Sequence, residues 1–268
     1  MSDFRRIRVL FPCHLGLARG KYIPAVLAED GARFCITLFA LTYNREMYPA
    51  PGARLLEGLP DIDCVFDVGD IRSGWQPHTG MVIGDLEFHG EPLPFAPRTV
   101  LKNAIRKFNE KGYAVNVGIE LEAFVMQPDG SGGWTEWDTP GAYVYGTGPA
   151  VDPIGIMEEI WDTASEVGIQ VESINSEYDT PQFEMTLRYG DCLKAVDDIF
   201  LFKLLATEIA HKHGLRLTFT GKPFGDRGGS GLHVNLSLTN KFGENDFADP
   251  SAPDGLSATA KKAIAGLV

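Results

Sequence analysis

Apolar and polar residues alternate along the chain from Val115 to Met126. Alternate side chains of a strand point to opposite faces, so Val115, Val117, Ile119, Leu121, Ala123 and Val125 form an apolar face. Glu120, Glu122, Phe124 and Met126 share the other. The two glutamates then stand about two strand rises apart, roughly 6.6 Å, and at an effective dielectric of about 20 they repel by about 2.5 kcal/mol. The pattern predicts something positive over them.

The same design recurs downstream. Phe183, Met185 and Leu187 alternate with Gln182, Glu184 and Thr186, predicting a strand over residues 180–187. Leu215, Leu217 and Phe219 alternate with Arg216, Thr218 and Thr220, and Leu232, Val234, Leu236 and Leu238 with His233, Asn235 and Ser237. A short β-branched strand is expected over residues 169–174. Strands with one apolar face for helices to cover and one polar face predict a curved, largely antiparallel sheet, concave on its polar side.

Helical spacing appears between these strands. Pro97 suits a first helical position, with Val100, Leu101, Ala104, Ile105 and Phe108 on one face, predicting a helix over residues 98–111. Asp152 and Pro153 read as the cap and first turn of a second helix carrying Ile156, Met157, Ile160, Trp161, Ala164 and Val167. A third is expected over residues 191–213, with Val196, Ile199, Phe200, Leu204 and Ile209 apolar and Gly214 as its stop. Residues 256–268 have helical character. Before Pro97 the style differs: short strands are predicted over residues 7–11, 34–40, 64–68 and 80–88, with many prolines between them. Residues 43–60 read as a loop or lid and residues 128–151 as a flap. The fold class is α+β, with domains expected at residues 1–95 and 96–268.

Charge narrows the function. The chain has 268 residues, 44% hydrophobic and 22% charged, with a net charge of -12, an ordinary globular composition. That charge repels a phosphate backbone, so nucleic acid is not an expected partner. No apolar run approaches a membrane span, and a cytoplasmic location is expected. Cys13, Cys35, Cys64 and Cys192 are scattered without a Cys-x-x-Cys pair, which argues against a zinc site or disulfide framework. An acidic protein that handles an anion such as ATP needs local cations, which bound divalent metals supply.

The polar strand face collects Glu120, Glu122, Gln182, Glu184, His233, Asn235 and Ser237, with Glu172 and Glu177 leading in. Hard oxygen ligands with one imidazole suit Mg²⁺ or Mn²⁺, and a two-metal phosphoryl-transfer site is the natural reading. The Gly-rich stretch over residues 225–231 precedes His233, so its backbone can approach a substrate closely. It is neither a P-loop nor a dinucleotide fingerprint. Glu158, Glu159 and Asp162 read as the solvated face of their helix.

Three ordered motifs resemble the glutamine synthetase family: Gly118-Ile-Glu120-Leu-Glu122, Glu177-Tyr-Asp-Thr-Pro-Gln182-Phe-Glu184, and Lys222-Pro223 with Gly229-Ser-Gly-Leu-His233. Phe95-Ala-Pro97-Arg98 resembles the boundary between that family's N-terminal β-grasp domain and its catalytic domain. The resemblance implies a metal held by Glu122, Glu177 and Glu184 near the carboxylate substrate, and a second, held by Glu120 and His233, on the nucleotide phosphates. It places Glu172, Tyr189, Asn235 and Ser237 at ATP, and Glu122 and Gly229 at the acid substrate. The implied reaction is phosphorylation of a glutamate side-chain carboxylate by ATP, followed by attack of ammonia or an amine. A homo-oligomeric ring is implied as well.

Departures from the family pattern matter too. Thr180-Pro181 stands where Pro-Gly is usual, Gly228 where asparagine is common, and Asn235 where a histidine is expected. The loop that supplies an ammonium-site aspartate in glutamine producers is not found, and Asp61, Asp63 and Asp67 are the nearby candidates. These differences favour a larger amine. The family's arginine cluster and the third carboxylate of the nucleotide-side metal fall beyond Val268, so the expectation for the isolated chain is weak activity or none. Two other readings stay open: a non-catalytic or truncated relative that binds nucleotide or assembles with other subunits, and a guanidino or carboxylate kinase-like phosphotransferase.

Overall fold

The computed structural model describes residues 4–48, 57–139 and 143–268. Parts of the expected lid (49–56) and flap (140–142) lie outside the described residues. The chain divides into two compact units, Met1–Ala104 and Ile105–Val268.

The first unit contains β1 (Arg6–Pro12), β2 (Ala18–Pro24), β3 (Ala32–Cys35), β4 (Asp61–Val65), β5 (Arg72–Ser73), β6 (Thr79–Ile83), β7 (Asp85–Phe88) and β8 (Glu91–Pro92). They form two sheets, ordered β2-β1-β6-β5 and β3-β4-β7-β8. A shared core takes Ile7, Val9 and Phe11 from one sheet and Phe34, Ile62 and Leu86 from the other.

The expected strand over residues 80–88 is really two, β6 and β7, one in each sheet. They change sheets at Gly84, where a Cβ would lie 2.3 Å from Cys64 Sγ, so only glycine fits that close approach. The expected strand over residues 34–40 stops at Cys35 and continues as a 3₁₀ helix over Ile36–Ala40, and that over residues 64–68 ends at Val65. Sequence pattern missed β2 because Arg19, Gly20, Lys21 and Tyr22 alternate with nothing apolar. It is an edge strand paired along the whole of β1.

α1 (Pro97–Asn109) starts at Pro97 as expected. Its expected apolar face is not buried: Val100 and Phe108 are exposed.

The second unit is built on β9 (Ala114–Pro128), the long carboxylate strand. It is followed by β10 (Trp134–Glu136), α2 (Ile156–Glu166), β11 (Val171–Ser176), β12 (Gln182–Asp191), α3 (Cys192–Lys212), β13 (Arg216–Thr218), β14 (Leu232–Thr239) and α4 (Ala258–Ala265). All pairings in this sheet are antiparallel: β9 pairs with β10, β12, β13 and β14, and β11 with β12. Helices α2 and α3 back it, α3 against β9 and β12. Ile119, Leu121, Ala123, Val125, Met185 and Leu187 are buried on the helix side. This is the expected α+β arrangement, an antiparallel sheet backed by helices.

Several local expectations are corrected. α2 starts at Ile156, not Pro153, although Asp152 still caps it, its two carboxylate oxygens accepting from Ile156 N (3.0 Å) and Met157 N (2.8 Å). α3 is capped by Asp191, which accepts from Lys194 N at 3.0 Å. Its buried stripe is Ala195, Asp198, Leu201, Phe202, Leu205 and Ile209, whereas Val196, Ile199, Phe200 and Leu204 are only half-buried. A helix apolar on most sides leaves its orientation to packing. On β14 the apolar side is open among the described residues: Leu232 is 61% and Val234 57% exposed, and only Leu238 is buried. No helix among the described residues is long and apolar enough to cross a membrane.

Candidate metal centre

Register brings the carboxylates together. Glu184 of β12 lies opposite Glu122 of β9, and His233 of β14 lies opposite Glu120. Directly opposed residues share a face, so Glu120, Glu122, Glu184 and His233 project to one side of the sheet. Glu177 arrives from the turn before β12, which is closed by Glu177 N donating to Gln182 O at 2.8 Å. The Thr180-Pro181 peptide in that turn is cis.

Two ligand-like groups result. Glu122, Glu177 and Glu184 each offer an oxygen within 4.8 Å of the others, and Glu120, Glu184 and His233 offer atoms within the same distance. Glu184 therefore belongs to both groups, although the sequence motifs place it with the first alone.

The partners of the two β9 glutamates differ. Glu122 is 8% exposed, and its Oε2 accepts from Gly231 N at 2.9 Å and from Gln182 Nε2 at 3.2 Å. Gln182, itself 1% exposed, also donates to Gly229 O at 2.9 Å and Ser230 Oγ at 3.2 Å. Glu120 accepts from Asn235 Nδ2 at 2.8 Å and faces His233 Nδ1 at 2.9 Å. Among the described residues, the positive partner expected over the glutamates is thus one imidazole beside Glu120, while neutral N–H donors hold Glu122.

These environments shift ionisation. Hydrogen bonds from Asn235 and His233 hold Glu120 below the ordinary carboxylate range, and the bond to Glu120 raises the His233 imidazole. Burial and the charges of Glu177, Glu120 and Glu122 push Glu184 upward. Among the described residues, four carboxylates meet a single imidazole, and the member shared by both groups is the one whose ionisation its neighbours oppose. An oxygen-rich set with that uncompensated charge fits divalent Mg²⁺ or Mn²⁺.

Of the expected nucleotide residues, Tyr189 and Ser237 hydrogen-bond to each other, and Asn235 reaches Glu120. Tyr189 lies over Gly118, where a Cβ would meet the tyrosine Cβ at 3.4 Å. Glu172 is not drawn in: it is exposed, at the β-bulge between Val171 and Ser173. Phe124 shares the carboxylate side of β9 yet is fully buried, edge-on to Phe224 with centroids 5.5 Å apart. In the first unit, Asp63 pairs with Arg33 and Asp67 accepts from Gly69 N.

Sequence reasoning missed Gly231 as an amide donor and missed Asp179, Arg227 and Glu136. Arg227 Nε donates to Glu136 Oε1 at 2.9 Å, and Asp179 Oδ2 accepts from Gly228 N at 2.6 Å. No short-range pattern marks such distant pairs.

A family model described as the glutamine synthetase catalytic domain matches residues 94–268. Glutamine synthetase of Rhizobium meliloti (strain 1021) is 34% identical over 260 residues, covering 94% of this chain and 57% of its own length. A glutamate–isopropylamine ligase of Pseudomonas sp is 33% identical over 219 residues, covering 79% of this chain and 48% of its own length. A solved GmaS/ADP complex superposes with a TM-score of 0.83 at 30% identity, covering 99% of this chain and 60% of that one. The chain thus spans about half to three fifths of the length of these relatives. With its carboxylate strand, its acidic turn and its Gly-rich loop all inside the matched residues, the chain belongs to the glutamine synthetase family.

Proposed function

We propose that this chain carries the metal and nucleotide half of a carbon–nitrogen ligase. It activates the side-chain carboxylate of glutamate or a similar acid with ATP and joins it to ammonia or an amine. The observation that carries this reading is the pair of three-residue groups sharing Glu184. Glu122, Glu177 and Glu184 would hold one divalent ion, and Glu120 and His233 the other, with Glu184 within reach of both. Bound Mg²⁺ or Mn²⁺ supplies charge neutralisation for a phosphoryl group in transfer.

The chain's own residues set that stage. Gln182 and Gly231 fix the Glu122 carboxylate, and Asn235 holds Glu120 ionised beside His233. Tyr189 and Ser237 bracket the Gly118 end of β9, where nucleotide is proposed, and Gly229 lies where the acid substrate is proposed. The similarity to a GmaS structure solved with ADP supports the nucleotide assignment. Gly228 and Asn235, standing where asparagine and histidine are usual, favour an amine larger than ammonia. We further assign residues 1–95 to a β-grasp-like unit, residues 96–268 to the catalytic unit, and the working form to a homo-oligomeric ring in the cytoplasm.

The test is ADP release by this chain with Mg²⁺ or Mn²⁺, ATP, glutamate and a panel of ammonium, ethanolamine and polyamines, with Glu122→Gln as control. Release that needs an amine and vanishes in the control supports the ligase. Release without an amine points to a phosphotransferase, and metal-dependent ATP binding without turnover to a non-catalytic part. A chain that binds neither metal nor ATP overturns the reading.

A further inference from the structure

We propose that Arg227, Asp179 and Glu136 form a clamp on the Gly-rich loop that positions Glu122 for its ion; the proposal rests on the metal reading of the Glu122, Glu177 and Glu184 group. The loop over residues 225–231 includes Gly225, Gly228, Gly229 and Gly231, and glycines lose the most freedom on ordering. Its backbone is tied at the base by Ser230 N donating to Gly221 O at 2.8 Å. Its middle is held by side chains. Arg227 Nε donates to Glu136 Oε1 of β10 at 2.9 Å, and Nη1 lies 3.4 Å from Asp179 Oδ1 in the turn before β12. The other Asp179 oxygen accepts from Gly228 N at 2.6 Å, and Lys222 Nζ donates to the Arg227 carbonyl. The contact does not depend on glycine at 228, since a Cβ there would meet Asp179 Cβ at 3.4 Å, an ordinary contact distance.

The clamp has a consequence three residues on. Gly229 O and Ser230 Oγ accept from Gln182 Nε2, and Gly231 N reaches Glu122 Oε2. The loop and Gln182 together engage Oε2, and among the described residues no donor reaches Oε1. The loop therefore decides which oxygen of Glu122 is left for an ion. Arg227 is partly exposed, and exposed ion pairs add little to global stability. Losing the clamp should show in local order and ion affinity, not in melting.

Two measurements on the whole chain test this: amide hydrogen exchange without metal, and Mn²⁺ titration by calorimetry. Arg227→Met is the main variant, Arg227→Lys a partial one able to keep one ion pair, and Glu122→Gln the control. Arg227→Met should speed exchange at Gly228 and Gly231 while β9 and β12 amides stay protected. It should weaken the Glu122-side ion by up to roughly tenfold, the lower end of what losing a ligand's direct outer-shell partner costs, because Arg227 acts on Glu122 through Gly231, and leave the Glu120–His233 ion unchanged. Arg227→Lys should fall between. Unchanged loop exchange, or equal weakening of both ions, overturns the clamp. Normal Mn²⁺ uptake by Arg227→Met, with loss in Glu122→Gln, overturns the clamp but leaves the metal reading standing. No Mn²⁺ uptake by the unaltered chain overturns the metal reading and with it the role given to Glu122, while the exchange data still report whether Arg227 orders the loop.

Discussion

Adding one methyl group at Gly231 should separate the metal site from the fold. A Cβ there would lie 2.7 Å from Glu122 Oε1 and 3.1 Å from His233 Nε2. Ordinary contact begins at 3.4 Å, so Oε1 must retreat by about 0.7 Å. Metal–ligand distances tolerate about 0.2 Å, so the displaced oxygen can no longer serve its ion well. The fold has little at stake, because what must yield is the far end of a side chain. Gly231 is not in the left-handed region, and Gly→Ala at a compatible position gains about 0.4–1 kcal/mol through the unfolded state. The amide that donates to Glu122 Oε2 also survives the change. Gly231→Ala is therefore expected to melt within a few degrees of the parent while losing about tenfold or more in Mn²⁺ affinity, roughly 1.4 kcal/mol per factor of ten. Differential scanning calorimetry and Mn²⁺ titration on the same preparation read both quantities. Unchanged affinity would refute the placement of Glu122 Oε1 at an ion; a large fall in melting temperature would show that the loop, not the carboxylate, gives way.

Further predictions concern charge, pH and packing. Glu184→Gln should impair both ions in a Mn²⁺ titration, because Glu184 belongs to both groups, whereas Glu120→Gln should impair one. Since the Glu184 and His233 pKa values are raised, both groups hold protons at pH values where their ordinary counterparts have shed them. Ion binding near pH 6 should therefore release protons, seen as buffer-dependent heats, and weaken on acidification. In the metal-free chain, the depressed Glu120 carboxyl contributes stability above its ordinary value of 4.5, lost as pH falls through its folded value. The raised His233 contributes below 6.5, lost as pH rises through its folded value. Their joint contribution is whole between those values, and urea melts across pH should lose that plateau in Glu120→Gln. Phe124→Ala should cost about 3–5 kcal/mol in urea unfolding, the usual price of removing a buried ring, because Phe124 is fully buried against Phe224. Burial, with Asp85 adding to it, pushes the Cys64 thiol up to about 12, so iodoacetamide should label it only once the chain unfolds.

Much of the site was legible because a strand's period of two leaves no freedom once one face is apolar. That rule put Glu120 and Glu122 on one side of β9, Glu184 beside Gln182, and His233 beside Asn235, and register then set them opposite one another. Helix ends were legible for a similar reason: Pro97, Asp191 and Gly214 act on backbone geometry within a turn of themselves.

What stayed hidden depends on residues far apart in the chain. β2 forms by lying along β1, not by any pattern of its own, and the break at Gly84 exists because Cys64 occupies the space a side chain would need. The stripe that α3 buries was set by packing, since its sequence is apolar on most sides. Arg227 meets Glu136 and Asp179 across 91 and 48 residues, and Glu184 reaches two groups only because three strands meet in one register. The sequence by itself determined which residues face the site, because side-chain direction is a local property of the backbone. Only the tertiary structure decided which oxygen each carboxylate presents and which donor holds it, because those depend on distances set by segments that local pattern does not connect.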